Sequence, residues 1–186
     1  MPIRSGWSAP ERNCQERPGD VITGQLTNTE FVRSVFSNFP TGVTAVAAVV
    51  DGRPAGITAN SFTSVSLNPV LVSVCISNAS NTWPTLVRAS HLGVSVLAEQ
   101  QGAIARRLAS READRFEDIP WTTTESGAVL IPDSAAWFET TIENRVQAGD
   151  HEIVVLRVID LNHDAKRLPL VFHHSTFTKV HQGPTP

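Results

Sequence analysis

The sequence has no tyrosine and only two cysteines among its 186 residues. The absence of tyrosine excludes a tyrosine general acid from any chemistry that the protein performs. Cys14 lies in a polar segment and Cys75 in an apolar one, so we expect no disulfide framework. Cys75 is predicted to be a small buried residue of the core.

Long apolar runs and an excess of charge of one sign are also missing. No apolar run approaches the roughly 20 residues that a membrane-spanning helix needs. The first 25 residues contain no apolar segment of the kind found in signal peptides. The formal net charge of -3 does not favour binding to nucleic acid or to an anionic membrane. These features predict a reduced, cytoplasmic protein.

Several motifs of catalytic and nucleotide-binding sites do not occur. The sequence contains no glycine-rich dinucleotide fingerprint, no phosphate loop, no cysteine pair with zinc spacing and no Gly-x-Ser-x-Gly elbow. Two adjacent side chains in a strand, such as His173 and His174 would be, point to opposite faces, so we expect no metal chelate. If the protein is an enzyme, a cofactor is expected to supply its chemistry.

The composition is that of one globular domain, with 41% apolar and 18% charged residues. Residues 1–26 contain three prolines and no periodic pattern, which predicts a flexible N-terminal tail. We expect the folded domain to span residues 27–182.

Three short helices are predicted. Thr27 and Glu30 have the spacing of a capping box for the first helix, which Pro40 ends. The second follows Ser80-Asn81, because either residue can cap a helix. The third is predicted over residues 99–109, with one apolar face.

Most of the remaining sequence has the pattern of β-strands. Asp51-Gly52 and Gly149-Asp150 are turn signals between apolar, β-branched runs. There is no regular alternation of strands and helices, so a mainly antiparallel barrel is favoured over a Rossmann sheet. The predicted strands are residues 41–50, 53–58, 70–77, 91–97, 128–131, 135–146, 151–160, 170–173 and 177–180.

One polar stretch, residues 56–66, lies between two predicted core strands and is rich in hydroxyl and amide side chains. Buried polar groups without hydrogen-bond partners cost roughly 1–3 kcal/mol each. The stretch is therefore either a bend whose hydroxyls bond to the backbone or a site whose ligand supplies the partners.

Six segments, in order along the chain, resemble the characteristic segments of the short-chain flavin reductases, the reductase components of two-component flavin-dependent monooxygenases. Together they cover residues 31–180. They are Phe39-Pro40-Thr41-Gly42-Val43-Thr44; Gly56-x-Thr58-Ala59-Asn60-Ser61-Phe62 with Ser64-Val65-Ser66-Leu67-x-Pro69; Val94-Ser95-Val96-Leu97 with Gln101, Ala105 and Leu108-Ala109; Asp114-Arg115-Phe116; Gly149-Asp150-His151; and Pro169-Leu170.

The resemblance implies a mainly β fold, the FMN-binding split β-barrel, which is antiparallel, Greek-key-like and has a few short peripheral helices. It implies a homodimer that binds flavin near the dimer interface. It also implies reduction of FMN or FAD by NADH or NADPH, and supply of the reduced flavin to a partner monooxygenase or halogenase. An alternative within this fold is a protein that holds flavin tightly as an electron carrier, or binds it without turnover.

The resemblance also implies which residues meet the flavin. Arg106, Arg107 or Arg111 would neutralise its phosphate, although cations near the end of a helix also suit the helix dipole. The residues expected to contact the ring, the ribityl chain or the phosphate are Gly56, Thr58, Ala59, Asn60, Ser61, Cys75, Ile76, Ser77, Ser80 and Thr82.

His151 would lie near the nicotinamide site and is the candidate catalytic residue. A histidine at the start of a strand, bonded to the preceding Asp150, is the structural alternative. The chain departs from the family pattern at Ser95, where asparagine is usual, and at His173-His174-Ser175, where an aromatic-x-glycine stretch is common. These departures leave the preference for NADH or NADPH open.

Overall fold

The structure is a computed structural model, and it describes residues 26–111 and 114–180. The predicted tail, residues 1–26, lies outside the described residues except for Leu26, and so does Cys14. Residues 181 and 182, at the end of the predicted domain, also lie outside them.

The chain divides into two compact units, Met1–Phe36 and Ser37–Pro186. The first contains helix α1 (Thr29–Phe36), of which no residue is buried. Its cap is Asn28, whose Oδ1 accepts hydrogen bonds of 3.1 Å from the amides of Glu30 and Phe31. The predicted cap, Thr27, was therefore wrong by one residue, because Asn28 directly precedes the helix and accepts from the Glu30 amide. Asparagine is among the best residues at this position.

The second unit is built mainly of strands, with two short helices among its described residues. Its elements are β1 (Thr41–Gly42), β2 (Thr44–Val50), β3 (Arg53–Ala59), β4 (Thr63–Leu67), β5 (Val70–Ser77), α2 (Trp83–Leu86), β6 (Leu92–Val96), α3 (Gly102–Ala109), β7 (Thr122–Thr123), β8 (Val129–Leu130), β9 (Ala136–Ala148), β10 (His151–His163), β11 (Val171–His173) and β12 (Thr176–Thr178).

Seven of these strands form one sheet in the order β3-β2-β6-β9-β10-β5-β4. The strand pairs of this sheet are antiparallel. A three-stranded sheet, β1-β11-β12, and a two-stranded one, β7-β8, complete the unit. The predicted mainly β, antiparallel architecture with short helices is confirmed.

The first hairpin of the sheet has the two-residue turn that the sequence predicts. Asp51 (φ 53°) and Gly52 (φ 75°) both have positive φ, and Val50 pairs with Arg53. Positive φ at both central residues is the backbone of a type I′ turn, which matches the twist of the strands it joins.

The core consists of two hydrophobic clusters on opposite faces of β2. Val46 and Ala48 belong to the cluster that includes β5 and β10 residues, whereas Ala45 and Ala47 belong to the cluster beneath α3. Strand β2 is therefore buried on both faces, as its continuous apolar run predicts. The β5 register against β10 pairs Ser77 with His151.

Helix α3 begins at Gly102, three residues after its predicted start. Gln101 explains the difference, because its buried side chain accepts a 2.8 Å hydrogen bond from the Ala98 amide and donates one of 2.7 Å to the Pro132 carbonyl. The predicted packing face is confirmed by the burial of Ala105 and Leu108. Within the described residues, neither α3 nor any other helix has the length and apolarity to cross a membrane.

The expectation that the two adjacent histidines point to opposite faces was wrong. Strand β11 ends at His173, and His174 (φ 47°) and Ser175 (φ 59°) form the turn that follows. The two imidazole rings therefore lie together, with their centroids 4.0 Å apart, instead of on opposite faces.

Candidate active site

A cleft of about 340 Å³ lies between the end of β3, the end of β5 and the C-terminal end of α3. We call it the first cleft. It brings together segments that are far apart in sequence, including His151 at the start of β10. Its lining consists of Ile57, Thr58, Ala59, Asn60, Cys75, Ile76, Ser77, Ala79, Ser80, Asn81, Leu108, Ala109, Arg111, Arg115 and His151.

Part of the polar stretch satisfies its hydrogen bonds within the protein. Thr58 Oγ1 donates 2.8 Å to the carbonyl of Ala105, which fastens β3 to α3. Ser61 Oγ accepts 2.8 Å from the Cys75 amide and donates 3.0 Å to the Cys75 carbonyl. Ser61 therefore joins the β3–β4 connection to β5, and it is absent from the lining of the first cleft.

Asn60 differs from these neighbours, since it is exposed at the edge of the first cleft. Its side chain has no hydrogen-bond partner among the described residues. The stretch thus combines the two alternatives that the sequence left open. Thr58 and Ser61 hold the bend through the backbone, whereas the amide of Asn60 is available to a ligand.

Cys75 belongs to the cleft and not to the core. Its predicted burial was wrong: it is half-buried and lines the first cleft, whereas Val74 beside it is fully buried. The pleat explains the difference, because successive side chains of a strand point to opposite faces. Ser77, two residues further on, lines the cleft as well.

The turn that follows β5 is fixed by its own hydroxyls. Ser77 Oγ accepts from the Ala79 amide at 3.2 Å, and Ser80 Oγ accepts from the Trp83 amide at 3.2 Å. Helix α2 then starts with Trp83-Pro84, so proline occupies a first-turn position that needs no amide donor. The Ser80 side chain thus stabilises the start of α2 while the residue lines the cleft.

His151 starts β10 and pairs with Ser77. Its Nδ1 lies 2.7 Å from the Asp150 carboxylate, and its side chain is 44% exposed. The contact with Asp150 is that of a strand-start histidine, and it orients the ring. Nε2 has no partner among the described residues and is available to a ligand at the first cleft.

The three candidate arginines are not brought together. Arg111 lines the first cleft. Arg106 instead lies over the ring of Phe177, 5.2 Å from its centroid. Arg107 forms a 3.0 Å ion pair with Glu117. Of the three, the geometry therefore supports Arg111 alone as a phosphate ligand.

Arg115 is a cleft residue that the sequence analysis did not select. Its half-buried guanidinium is held by the carbonyls of Gly56 (3.4 Å) and Leu108 (3.3 Å). Neither Arg111 nor Arg115 has a carboxylate partner in the described part of the chain. The segment Asp114-Arg115-Phe116 was noted as a family motif, so the signal was present but was not interpreted as a binding arginine.

A second cleft, also of about 340 Å³, adjoins the first. The two share Asn81, Arg111 and Arg115, and the predicted flavin residues Gly56 and Thr82 line the second one. The remaining residues of its lining are Pro54, Ala55, Thr85, Asp114 and Phe116.

One departure from the family pattern, Ser95, is not part of the lining of the first cleft. Ser95 is fully buried, and its hydroxyl accepts a 2.9 Å hydrogen bond from the Ile131 amide, so this replacement lies in the core. The described residues contain no group of three or more His, Cys, Asp or Glu side chains that could hold a metal ion.

Comparison with protein families matches residues 36–181 to the flavin reductase like domain. The chain is 35% identical over 157 residues to a flavin reductase of Pseudomonas putida, covering 84% of this chain and 92% of that protein. It is 33% identical to the reductase subunit HsaB of a flavin-dependent monooxygenase of Rhodococcus jostii, covering 91% and 88%.

Some relatives are longer than this chain. A probable flavin reductase of Rhizobium meliloti is 38% identical over 138 residues, which are 74% of this chain but 44% of that protein. The chain thus spans less than half the length of this relative.

Solved structures share the fold. The NADH:FAD oxidoreductase SgcE6 of Streptomyces globisporus C-1027, in complex with NAD and FAD fragments, superposes with a TM-score of 0.81 at 34% identity, covering 90% of this chain and all of that one. BorF, the flavin reductase component of a bacterial two-component tryptophan halogenase, superposes with a TM-score of 0.77 at 34% identity, covering 84% of this chain and 100% of that one.

Proposed function

The chain belongs to the flavin reductase like domain family, and from this premise we propose that it is an NAD(P)H:flavin oxidoreductase. It transfers a hydride from NADH or NADPH to FMN or FAD and supplies the reduced flavin to a partner monooxygenase or halogenase. The observation that carries the proposal is the first cleft, in which Asn60, Cys75, Arg111 and His151 meet although they are distant in sequence.

The residues of the first cleft fit a flavin. Its volume of about 340 Å³ lies at the lower end of the range for small-molecule sites, about 300–1,000 Å³. Small side chains such as Ala59 and Ser77 leave room for a flat ring. Arg111 and Arg115, without carboxylate partners in the described residues, suit the phosphate. A bulky charged residue in place of Ala59 would obstruct ring stacking.

Asn60 is assigned to the ring edge. Bound flavin supplies the redox chemistry, since it accepts a hydride from a stacked nicotinamide and requires no protein nucleophile. The side-chain amide of Asn60 can donate hydrogen bonds where negative charge develops on the reduced ring. Thr58 and Ser61 act indirectly, because their hydroxyls hold the backbone on either side of Asn60.

His151 is assigned to the dinucleotide. The Asp150 carboxylate contacts Nδ1, which leaves Nε2 for a ligand, and His151 lines the first cleft. From this position it can orient the nicotinamide carboxamide or bind a phosphate. It is not required as a nucleophile or as a proton carrier in hydride transfer.

The family resemblance further supports a homodimer with flavin near its interface. The exposed Asn60 and half-exposed His151 leave one side of the first cleft open, where a second copy could cover the flavin. Light scattering coupled to gel filtration tests this part of the proposal. A measured mass of 20.2 kDa, which is that of a single chain, would contradict a homodimer.

The function is tested by following NADH oxidation with the purified full-length protein. We expect oxidation only when FMN or FAD is added, and the experiment is repeated with NADPH to find the preferred donor. Flavin that copurifies at one molecule per protein chain and stays bound during gel filtration would favour the tightly bound electron carrier instead. Flavin binding without oxidation of either dinucleotide would contradict a reductase.

A further inference from the structure

The turn between β9 and β10 directly precedes His151. Gly149 and Asp150 are its two central residues, since Ala148 pairs with His151. Gly149 has a φ of 61°, whereas the φ of Asp150 is not positive. Positive φ at the first central residue alone is typical of a type II′ turn, which favours glycine at that position. The conformation of this turn decides where Asp150 lies relative to the imidazole of His151.

Gln147 holds the turn from the side of β9. Its Nε2 donates hydrogen bonds of 2.9 Å to the Gly149 carbonyl and 3.0 Å to the His151 carbonyl. Because both partners are acceptors, only the nitrogen of the side-chain amide can face them. The two bonds use both N–H groups of this nitrogen. They bridge the carbonyls on either side of Asp150.

The residue after β5 holds the turn from the opposite side. The backbone amide of Asn78 donates a 3.0 Å hydrogen bond to the Asp150 carbonyl, and Asn78 Nδ2 donates one of 3.4 Å to the Gly149 carbonyl. Asn78 follows Ser77, which lines the first cleft and pairs with His151. All three carbonyls from Gly149 to His151 are therefore hydrogen-bonded, and the backbone of Asp150 is held between two strands.

This arrangement bears on the contact between Asp150 and His151. Nδ1 lies 2.7 Å from the Asp150 carboxylate, although the Asp150 side chain is 95% exposed. An exposed side chain on a loosely held turn would leave such a contact often. A carboxylate kept beside Nδ1 favours the neutral imidazole with its proton on Nδ1, and Nε2 is then an acceptor. An acceptor at Nε2 suits the amino group of the nicotinamide carboxamide.

We propose that Gln147 is a positioning residue for the nicotinamide dinucleotide. It lines neither cleft, and it acts through the turn and Asp150 on the proton position of His151. The inference rests on the proposed function and adds to it a residue outside the first cleft.

Gln147→Met tests the role of the two donors, because methionine keeps the length and the neutral charge of the side chain. We expect the KM for NADH to rise about threefold to fivefold, and the KM for flavin and kcat to change by less than twofold. Gln100→Met is the matched control, since Gln100 is also exposed and lines neither cleft. Both variants should keep the native midpoint of urea unfolding. Equal rises in the two KM values of Gln147→Met would overturn the inference.

A double-mutant cycle shows whether Gln147 acts through the imidazole. In the His151→Ala background there is no imidazole left to position, so adding Gln147→Met should change the KM for NADH by less than twofold. Effects of the two changes that multiply would overturn the inference, because Gln147 would then act on the dinucleotide independently of His151.

Nitrogen NMR of the full-length protein, labelled with ¹⁵N-histidine and free of flavin, observes the ring without requiring turnover. The His151 signals are those that disappear in His151→Ala. At about pH 8.5, where a histidine side chain is ordinarily neutral, the native ring should carry its proton on Nδ1. Gln147→Met should shift the proton towards Nε2, as in a free histidine side chain, and Gln100→Met should not.

The same proton position in the native protein and in Gln147→Met would overturn the inference. If the native protein does not oxidise NADH with any flavin, the proposed function fails, and the NMR comparison still decides whether Gln147 positions the proton of His151. Oxidation of NADH together with an unchanged proton position would do the reverse.

Discussion

The indole Nε1 of Trp83 donates a 2.8 Å hydrogen bond to the carboxylate of Glu152. The other carboxylate oxygen forms a 2.8 Å ion pair with Arg145, and the Glu152 side chain is only 15% exposed. The bond joins α2 to β10 at the residue after His151. It therefore ties the turn that lines the first cleft to the strand that carries the candidate dinucleotide ligand.

Replacing Glu152 with glutamine should lower stability in a pH-dependent way. The hydrogen bond from Arg145 lowers the pKa of Glu152 below 4.5, burial opposes this, and the Trp83 bond lowers the pKa further. The ionised carboxylate therefore makes its contribution to the free energy of unfolding above about pH 4.5. This contribution is lost as the pH falls through the folded-state pKa. We expect Glu152→Gln to lower the free energy of unfolding by about 1 kcal/mol at pH 7.

Urea unfolding at pH 7 and at several values below 4.5 measures this difference. It should shrink as the pH falls, because the native side chain then becomes neutral as well. A difference that stays constant across the range would contradict the role of charge. Glu143→Gln is the control for an exposed pair, since Glu143 bonds to Arg157 on the outer part of the same hairpin, and its effect at pH 7 should be smaller.

Close packing around two glycines predicts an order of stability. A Cβ on Gly93 would lie 2.0 Å from the Val129 carbonyl oxygen, and one on Gly56 would lie 2.9 Å from both Ala47 Cβ and Phe116 Cζ. Overpacking of this kind costs about 1–3 kcal/mol, occasionally more. We expect Gly93→Ala to be the most destabilising and Gly56→Ala to be intermediate.

Gly42→Ala provides the control for the glycine series, because a Cβ there meets nothing within 4 Å. Its midpoint of urea unfolding should stay within experimental error of the native value. An equal loss at Gly42 and Gly93 would contradict the role of the contact with Val129, because the lower entropy of the unfolded chain in a Gly→Ala variant stabilises the protein and cannot cause the loss.

The strands were predictable because their signals are local. The apolar run of β2, the Asp51-Gly52 turn and the ends of β5 all follow from residue type and short-range spacing. The first cap shows the limit of such signals: Thr27 and Asn28 are both good caps, and only the actual start of α1 at Thr29 selects Asn28. The turn at His174 has no glycine to mark its positive φ, so the sequence did not predict that the two histidine rings lie together.

Most of the residues that the family motifs identify line the first cleft, but the motifs could not choose among the candidate arginines. Family motifs identify individual positions, whereas the choice between Arg106 and Arg111 depends on which side of α3 faces β3. That side is set by the burial of Ala105 and Leu108 against the core, which is a tertiary contact. Arg115 lies in a loop, and its position depends on two carbonyls that are distant from each other in sequence.

Asn60→Asp should weaken flavin binding. The change replaces hydrogen-bond donors with a negative charge at the place assigned to the ring edge, where negative charge develops on reduction. We expect about a tenfold rise in Kd, equivalent to ~1.4 kcal/mol. Asn144→Asp, at an exposed position on β9 outside both clefts, is the matched control. Unchanged affinity in Asn60→Asp would contradict the placement of Asn60.

His151→Ala should separate the two substrates kinetically. Because the ring is assigned to the dinucleotide, we expect the KM for NADH or NADPH to rise at least fivefold and the KM for flavin to change by less than twofold. Steady-state NADH oxidation over a grid of both concentrations gives the two constants. His163→Ala, an exposed histidine outside the first cleft, should change neither. Equal effects of His151→Ala on both constants would count against its role.

The arginines provide a test of where the phosphate lies. Arg111→Ala removes a cation of the first cleft, whereas Arg106→Ala removes one that lies over Phe177. We expect Arg111→Ala to raise the Kd for FMN five- to tenfold and to leave riboflavin unchanged, because riboflavin has no phosphate to pair with the guanidinium. Arg106→Ala should change neither ligand by more than twofold. An equal loss of FMN and riboflavin in Arg111→Ala would mean that the arginine shapes the cleft without binding phosphate, and a larger effect of Arg106→Ala would place the phosphate at the other side of α3.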